Sequence, residues 1–137
     1  MRAASGPSRL LVVGTSYRTS GTALRERLFM DAHAQPAFLE SLRNAGIPAA
    51  LVLATCDRVE VQAVHDDQDL AAGVILDALS SQCGMDQGDL DQQCYRLEGR
   101  AALTHLFSVA ASLDSLVVGE PQVLGQVKES HRLAQSI

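Results

Sequence analysis

Cys56 stands where an apolar stretch gives way to a turn, in the run Thr55-Cys-Asp-Arg58. A thiolate attacks esters and thioesters, and a guanidinium two residues on would favour that form of a thiol. Asp57 acts in the opposite sense, because a second negative charge beside it is disfavoured. Spacing alone leaves two readings open, a nucleophile or a small apolar residue at a strand end. His105, at the start of His-Leu-Phe beside an apolar helical face, is open in the same way. It could serve as a hydrogen-bonded structural residue or pass a proton to a leaving group. Cys83 and Cys94 lack comparable neighbours and read as structural, while His33, His65 and His131 lie among polar residues and read as surface. Three cysteines without paired ligand spacing argue against a disulfide framework and a zinc site. Gly119-Glu-Pro-Gln-Val-Leu-Gly125 has neither the Lys-Ser/Thr of a phosphate loop nor dinucleotide-binding glycine spacing, so no bound cofactor and no metal are expected of this chain.

The elements that must position these residues follow from apolar periodicity. Arg9-Leu-Leu-Val-Val-Gly-Thr15 reads as a buried strand, with Ser16 to Ser20 a loop. Leu24, Leu28 and Phe29 suggest a short helix capped by Thr22, and a second helix capped by Asp31 runs to about Asn44, closed by Gly46 and Pro48. Residues 49–54 form a second apolar strand, and Val59-Glu-Val-Gln-Ala-Val64 alternates as a third. Asp66 and Asp67 lead a helix with Leu70, Val74, Ile75 and Leu79 at apolar positions and Gly84 at its end. The polar stretch 86–93 reads as a loop, Cys94-Tyr-Arg-Leu97 as a short strand, and 98–111 as a helix. The segment 113–125 resists periodic reading, and a further helix from about Gln122 runs to Ile137 without a capping signal. This order predicts an α+β, ferredoxin-like fold: a mixed or antiparallel sheet of about four strands with helices mainly on one face.

The chain of 137 residues is 47% hydrophobic and 20% charged, which suits one globular domain over 9–137 behind a flexible segment 1–8. No apolar run reaches a membrane span or a signal core, so the expected site of action is the cytoplasm without membrane contact. The net charge is −5 and unevenly spread: residues 1–56 carry six Arg against three acids, and 57–98 carry ten acids against Arg58 and Arg96. Such a chain cannot grip a phosphate backbone over a wide footprint, which excludes DNA as a partner and limits contact with any nucleic acid to its end.

Several motifs in one order go further. Gly14-Thr-Ser-Tyr-Arg-Thr19 with Leu24-Arg-Glu26, then Ala54-Thr-Cys-Asp-Arg-Val-Glu60, then His105-Leu-Phe-Ser-Val-Ala and Leu113-Asp-Ser-Leu-Val-Val-Gly-Glu-Pro-Gln-Val-Leu-Gly-Gln-Val-Lys128 closely resemble the N-terminal catalytic domain of glutamyl-tRNA reductases. The resemblance implies that Cys56 attacks the ester joining glutamate to the tRNA acceptor end and forms a glutamyl thioester. In the full-length family NADPH then reduces it to glutamate-1-semialdehyde, for 5-aminolevulinate and tetrapyrrole biosynthesis. It also implies that Thr55, Arg58 and Ser115 hold the glutamyl group, that His105 is an active-site residue, and that Glu120 and Gln122 line the same cavity. A guanidinium suits the glutamyl carboxylate through two parallel hydrogen bonds, although an ion pair of Arg58 with Glu60 or Asp57 is the structural alternative.

The chain departs from the family pattern at Ser16-Tyr17, where Asn-His is usual, at Gly21, where Pro is usual, and at Asp57, where Asn is usual. The resemblance further implies NADPH-binding and dimerisation domains that this chain lacks, and hence a monomer. Two alternatives accompany the reductase reading. One is a stand-alone acyltransferase or esterase that passes the thioester to a separate acceptor, and the other is a non-catalytic tRNA-end or protein-binding module.

Overall fold

Leu11, Val12 and Val13 have no room for water on either side, and that double burial sets the architecture. The computed structural model describes the backbone of residues 9–116 and the side chains of residues 9–111. Within them the order is β1 (Leu10–Ser16), α1 (Thr22–Leu28), α2 (Gln35–Asn44), β2 (Ala50–Ala54), β3 (Arg58–Val64), α3 (Gln68–Cys83), α4 (Gln87–Gln93), β4 (Tyr95–Glu98) and α5 (Gly99–Leu116). The strands form one sheet in the order β2-β3-β1-β4, and all three pairings are antiparallel. The fold is therefore α+β with the ferredoxin-like strand order that the sequence predicts, the sheet antiparallel throughout.

Because strand side chains alternate between faces, β1 and β3 each serve two layers. Leu11, Val13, Val59, Val61 and Ala63 join an apolar core with Leu28, Leu42, Ile75 and Leu79 from α1, α2 and α3. The other face carries Val12, Gly14, Arg58, Glu60 and Gln62, with Leu97 and Tyr95 in register on β4. Helix α5 packs on β1 and β4 and covers that second face, burying Ala102 and Val109.

Several local expectations are corrected. Thr22 is not the cap of α1; Gly21 is, with no side-chain cap bond. Asp31 caps a turn that precedes α2, its Oδ1 accepting from His33 N and Ala34 N, and the helix itself starts after Ala34. The stretch read as a loop at 86–93 contains α4, because Asp86 accepts from Gly88 N at the helix start and Leu90 anchors it in the core. A single apolar anchor leaves no periodicity to read. In α3 the buried face is Ala71, Ala72, Ile75, Leu79 and Cys83, whereas Leu70 is 55% exposed. Two small alanines let the helix lie close to the sheet and rotate Leu70 outward. Asp67 caps α3 and Gly84 ends it in the left-handed conformation at φ 73°, both as the sequence predicts. Helix α5 continues to Leu116, past the predicted end at Ala111. Segment 1–8, the predicted C-terminal helix and His131 lie outside the described residues.

Candidate functional site

The turn between β2 and β3 is built by Thr55. Its Oγ1 accepts the backbone N–H groups of Asp57 and Arg58, each at 3.2 Å, and its own N–H donates to Arg58 O at 2.8 Å. Thr55 is buried and the thiol of Cys56, one residue on, is exposed. A short turn after a strand whose last three residues are buried is thus what brings Cys56 to the surface. The β1–α1 loop holds the turn from the side, since Tyr17 N–H donates to Asp57 O at 2.8 Å. Arg25 of α1 adds a bond from Nε to Cys56 O at 3.3 Å.

Behind the turn, on the α5 face, lies a buried carboxylate. Glu60 is fully buried, and its Oε1 accepts from Tyr95 Oη at 2.7 Å and from Arg58 Nη1 at 3.1 Å. Gln62 Nε2 donates to Oε2 at 3.0 Å, and His105 Nε2 lies 2.9 Å from Oε1. A carboxylate acceptor places the proton on Nε2 of His105, leaving Nδ1 as its other ring nitrogen. Arg58 Nη1 touches that same Nε2 at 3.4 Å, and the Tyr95 and His105 rings sit with centroids 5.4 Å apart. Burial alone would push the Glu60 carboxyl up; the hydrogen bonds from His105, Gln62 and Tyr95 with the His105 charge outweigh it and hold the group down at about 2. Glu60 therefore remains an anion inside the protein. The same burial and the neighbouring Glu60 charge push the Tyr95 hydroxyl far up, so Tyr95 acts as a hydrogen-bond donor.

Gly14 makes this arrangement possible. It faces Glu60 on β3 and Tyr95 on β4 in register, so Tyr95 and Glu60 meet across it. A Cβ on Gly14 would stand 2.4 Å from Glu60 Cβ and 2.5 Å from Val59 O, distances at which the strands must move apart.

The structure thus brings Thr55, Cys56, Arg58 and His105 to one end of the sheet. Arg58 forms the ion pair with Glu60 through Nη1. The hydrogen bonds of its guanidinium to described residues all use that one nitrogen, which leaves the Nε/Nη2 edge of the fork to a ligand. Cys83 is buried and Cys94 half-buried, and none of the three cysteines is in a disulfide. Burial, with smaller contributions from Asp91 and Cys83, pushes the Cys94 thiol up to about 11, which favours the thiol over the nucleophilic thiolate. Among the described residues there is no cluster of His, Cys, Asp or Glu able to hold a metal ion. No helix among them is long and apolar enough to cross a membrane.

A family model described as "Glutamyl-tRNAGlu reductase, N-terminal domain" matches residues 13–137. The chain belongs to the glutamyl-tRNA reductase family. It is 44% identical over 128 residues to a glutamyl-tRNA reductase of Syntrophus aciditrophicus, covering 91% of this chain and 30% of that protein. With the reductase of Syntrophotalea carbinolica the identity is 39% over 127 residues, covering 92% and 29%. The solved glutamyl-tRNA reductase of Methanopyrus kandleri superposes with a TM-score of 0.63 at 27% identity, over 94% of this chain and 29% of that one. The chain therefore spans about 30% of the length of the curated reductases it matches.

Within this reductase domain, Ser115 falls in α5 at a position whose side chain is not described, and Glu120 and Gln122 lie outside the described residues. Sequence reasoning gave no role to Gly14, Arg25 or Tyr95, and treated Glu60 only as a possible partner of Arg58. The signal for Glu60 is an acid centred in an apolar strand, which becomes informative once a helix covers its face. Of the departures named above, Tyr17, Gly21 and Asp57 are exposed, whereas Ser16 at the end of β1 is buried.

Proposed function

We propose that this chain is one domain, 9–137, that carries out the acyl-transfer half of the glutamyl-tRNA reductase reaction. Cys56 Sγ, as thiolate, attacks the ester carbonyl of glutamyl-tRNA; the new C–S bond forms as the bond to the terminal ribose oxygen breaks. That oxygen takes a proton from His105, which Glu60 orients, and a glutamyl thioester remains on Cys56. The free edge of the Arg58 guanidinium receives the glutamyl carboxylate, and Thr55 fixes the turn while contributing to the pocket with Ser115, Glu120 and Gln122. What supports this reading is the exposed Cys56 thiol on the same short turn as Arg58, whose guanidinium touches the His105–Glu60 pair.

NADPH would supply a hydride to the thioester. An open concavity among the described residues, lined by Asp66, Asp67, Gln68, Asp69 and Glu98, does not fit that dinucleotide, because its four carboxylates repel a pyrophosphate. No hydride step is assigned to the described residues. The partner is the acceptor end of glutamyl-tRNA, and the chain acts as a monomer. Binding is weak and falls as salt rises, because few cations are available to release counterions.

Intact-mass measurement after brief incubation with glutamyl-tRNA tests this directly. A glutamyl adduct that hydroxylamine removes and that Cys56→Ser abolishes is the expected result. Absence of adduct and of accelerated glutamate release, in folded protein across the pH range that ionises thiols, would refute the acyl-transfer reading.

A further inference from the structure

Arg25 is the least expected charge in the molecule. It sits on α1 with only 9% of its surface exposed, beside a helix face that otherwise buries Leu24 and Leu28. A buried guanidinium must find acceptors for its fork, and ordinarily a carboxylate. Arg25 finds neutral acceptors instead. Nη1 donates to Ser20 O at 2.6 Å, Nε to Cys56 O at 3.3 Å, and Nη2 to Thr22 Oγ1 at 3.4 Å. Among the described residues it forms no ion pair.

These three bonds connect two segments remote in sequence. Ser20 ends the β1–α1 loop, which is folded on Ser16 by bonds from Thr19 N and Ser20 N and tied to Thr15 by the Ser20 hydroxyl. Cys56 belongs to the β2–β3 turn. With Tyr17 N–H on Asp57 O, two consecutive carbonyls of that turn, at 56 and 57, are held by donors from the β1–α1 side. Other charged or titratable groups around the turn are Asp57 and Arg58 within it, Tyr17 and Arg18 on the loop, and the His105–Glu60 pair behind Arg58. Arg58 faces Glu60 and is largely neutralised by it. Arg18 is exposed and leans on Tyr17.

We infer that Arg25 is a positioning residue for the Cys56 turn: its fork fixes the turn's backbone, and its uncompensated buried charge favours the thiolate of Cys56 over the opposing charge of Asp57. This inference deepens the acyl-transfer reading and takes Cys56 as the nucleophile from it. A lysine at this position keeps the charge but cannot span three acceptors. Glutamine keeps hydrogen-bonding capacity and loses the charge.

The test is iodoacetamide alkylation of Cys56 in the whole chain, followed peptide by peptide across about pH 6 to 10. It compares the wild type with Arg25→Gln and Arg25→Lys, with circular dichroism to verify folding. Arg25→Gln is expected to slow alkylation of Cys56 at neutral pH about tenfold and to move the midpoint upward by about one pH unit. Arg25→Lys is expected to keep the midpoint near that of the wild type while slowing glutamyl-thioester formation. Identical alkylation profiles in wild type and Arg25→Gln would overturn the inference. So would an upward midpoint in Arg25→Lys equal to that in Arg25→Gln, since the charge would then be irrelevant. Should Arg25→Gln not fold, an Arg25→Lys protein matching the wild type in both midpoint and thioester formation overturns it equally. The alkylation arm uses no tRNA, so a wild type that alkylates normally but forms no glutamyl adduct refutes the acyl-transfer reading separately.

Discussion

Strand β3 presents two very different surfaces from one run of seven residues. Toward α1–α3 it shows Val59, Val61 and Ala63, which meet only apolar neighbours. Toward α5 it shows Arg58, Glu60 and Gln62, which form a hydrogen-bonded network with Tyr95 and His105. Val59, Val61, Ala63 and Glu60 are buried and Arg58 and Gln62 half-buried, yet the two faces are held by different physics. The apolar face gains stability from area removed from water and tolerates changes that conserve volume. The polar face gains little net stability from its charges, because the desolvation of Glu60 and its partners offsets much of their attraction. What it gains is a fixed arrangement of ionisable groups behind the Cys56 turn.

Substitutions on each face should separate these contributions. Ile75→Ala removes a fully buried side chain from the apolar face and is expected to cost about 2–5 kcal/mol in chemical denaturation while leaving the pH dependence of stability unchanged. A changed acid limb in that variant would show that the two faces are coupled. On the polar face, the Glu60 carboxyl lies at about 2 in the folded chain against an ordinary 4.5. A depressed carboxyl stabilises the fold above its unfolded value and ceases to as pH falls through its folded value. The wild type should therefore lose about 3 kcal/mol as pH drops from about 4.5 to about 2, and Glu60→Gln should show a correspondingly flatter acid limb in urea titrations.

Gly14→Ala strikes the polar face through sterics alone, by forcing Glu60 away from β1. We expect a loss of about 1–3 kcal/mol together with a weakened acid limb, measured in the same titrations. Smallest of all, Leu70→Gln changes a residue that is 55% exposed despite its apolar type, and its effect should stay within about 0.5 kcal/mol. A larger loss would mean that α3 buries the face predicted by periodicity.

Legibility differed between the faces for the same reason. The strands, the start and end of α3 and the apolar core were readable because hydrophobic alternation, Asp67 and Gly84 act through local backbone geometry. Helix α4 was not, since its only core contact is Leu90 and its helical state depends on docking beside α3. Of the candidate site, the turn Thr55–Arg58 and His105 were singled out by residue type and motif order. Their mutual placement through Glu60 was not, because an acid flanked by valines reads equally well as the solvent face of an edge strand.

By itself, then, the sequence determined the α+β class with its four strands, the family to which the chain belongs and the cysteine just after β2, all of which rest on local pattern or motif order. Only the tertiary structure decided that α5 covers the second face of the sheet, that Glu60 is buried there with Tyr95 and His105 across Gly14, and that Arg25 reaches the Cys56 turn. Those facts depend on which elements approach one another through space. Long-range packing of that kind leaves no periodic trace along the chain.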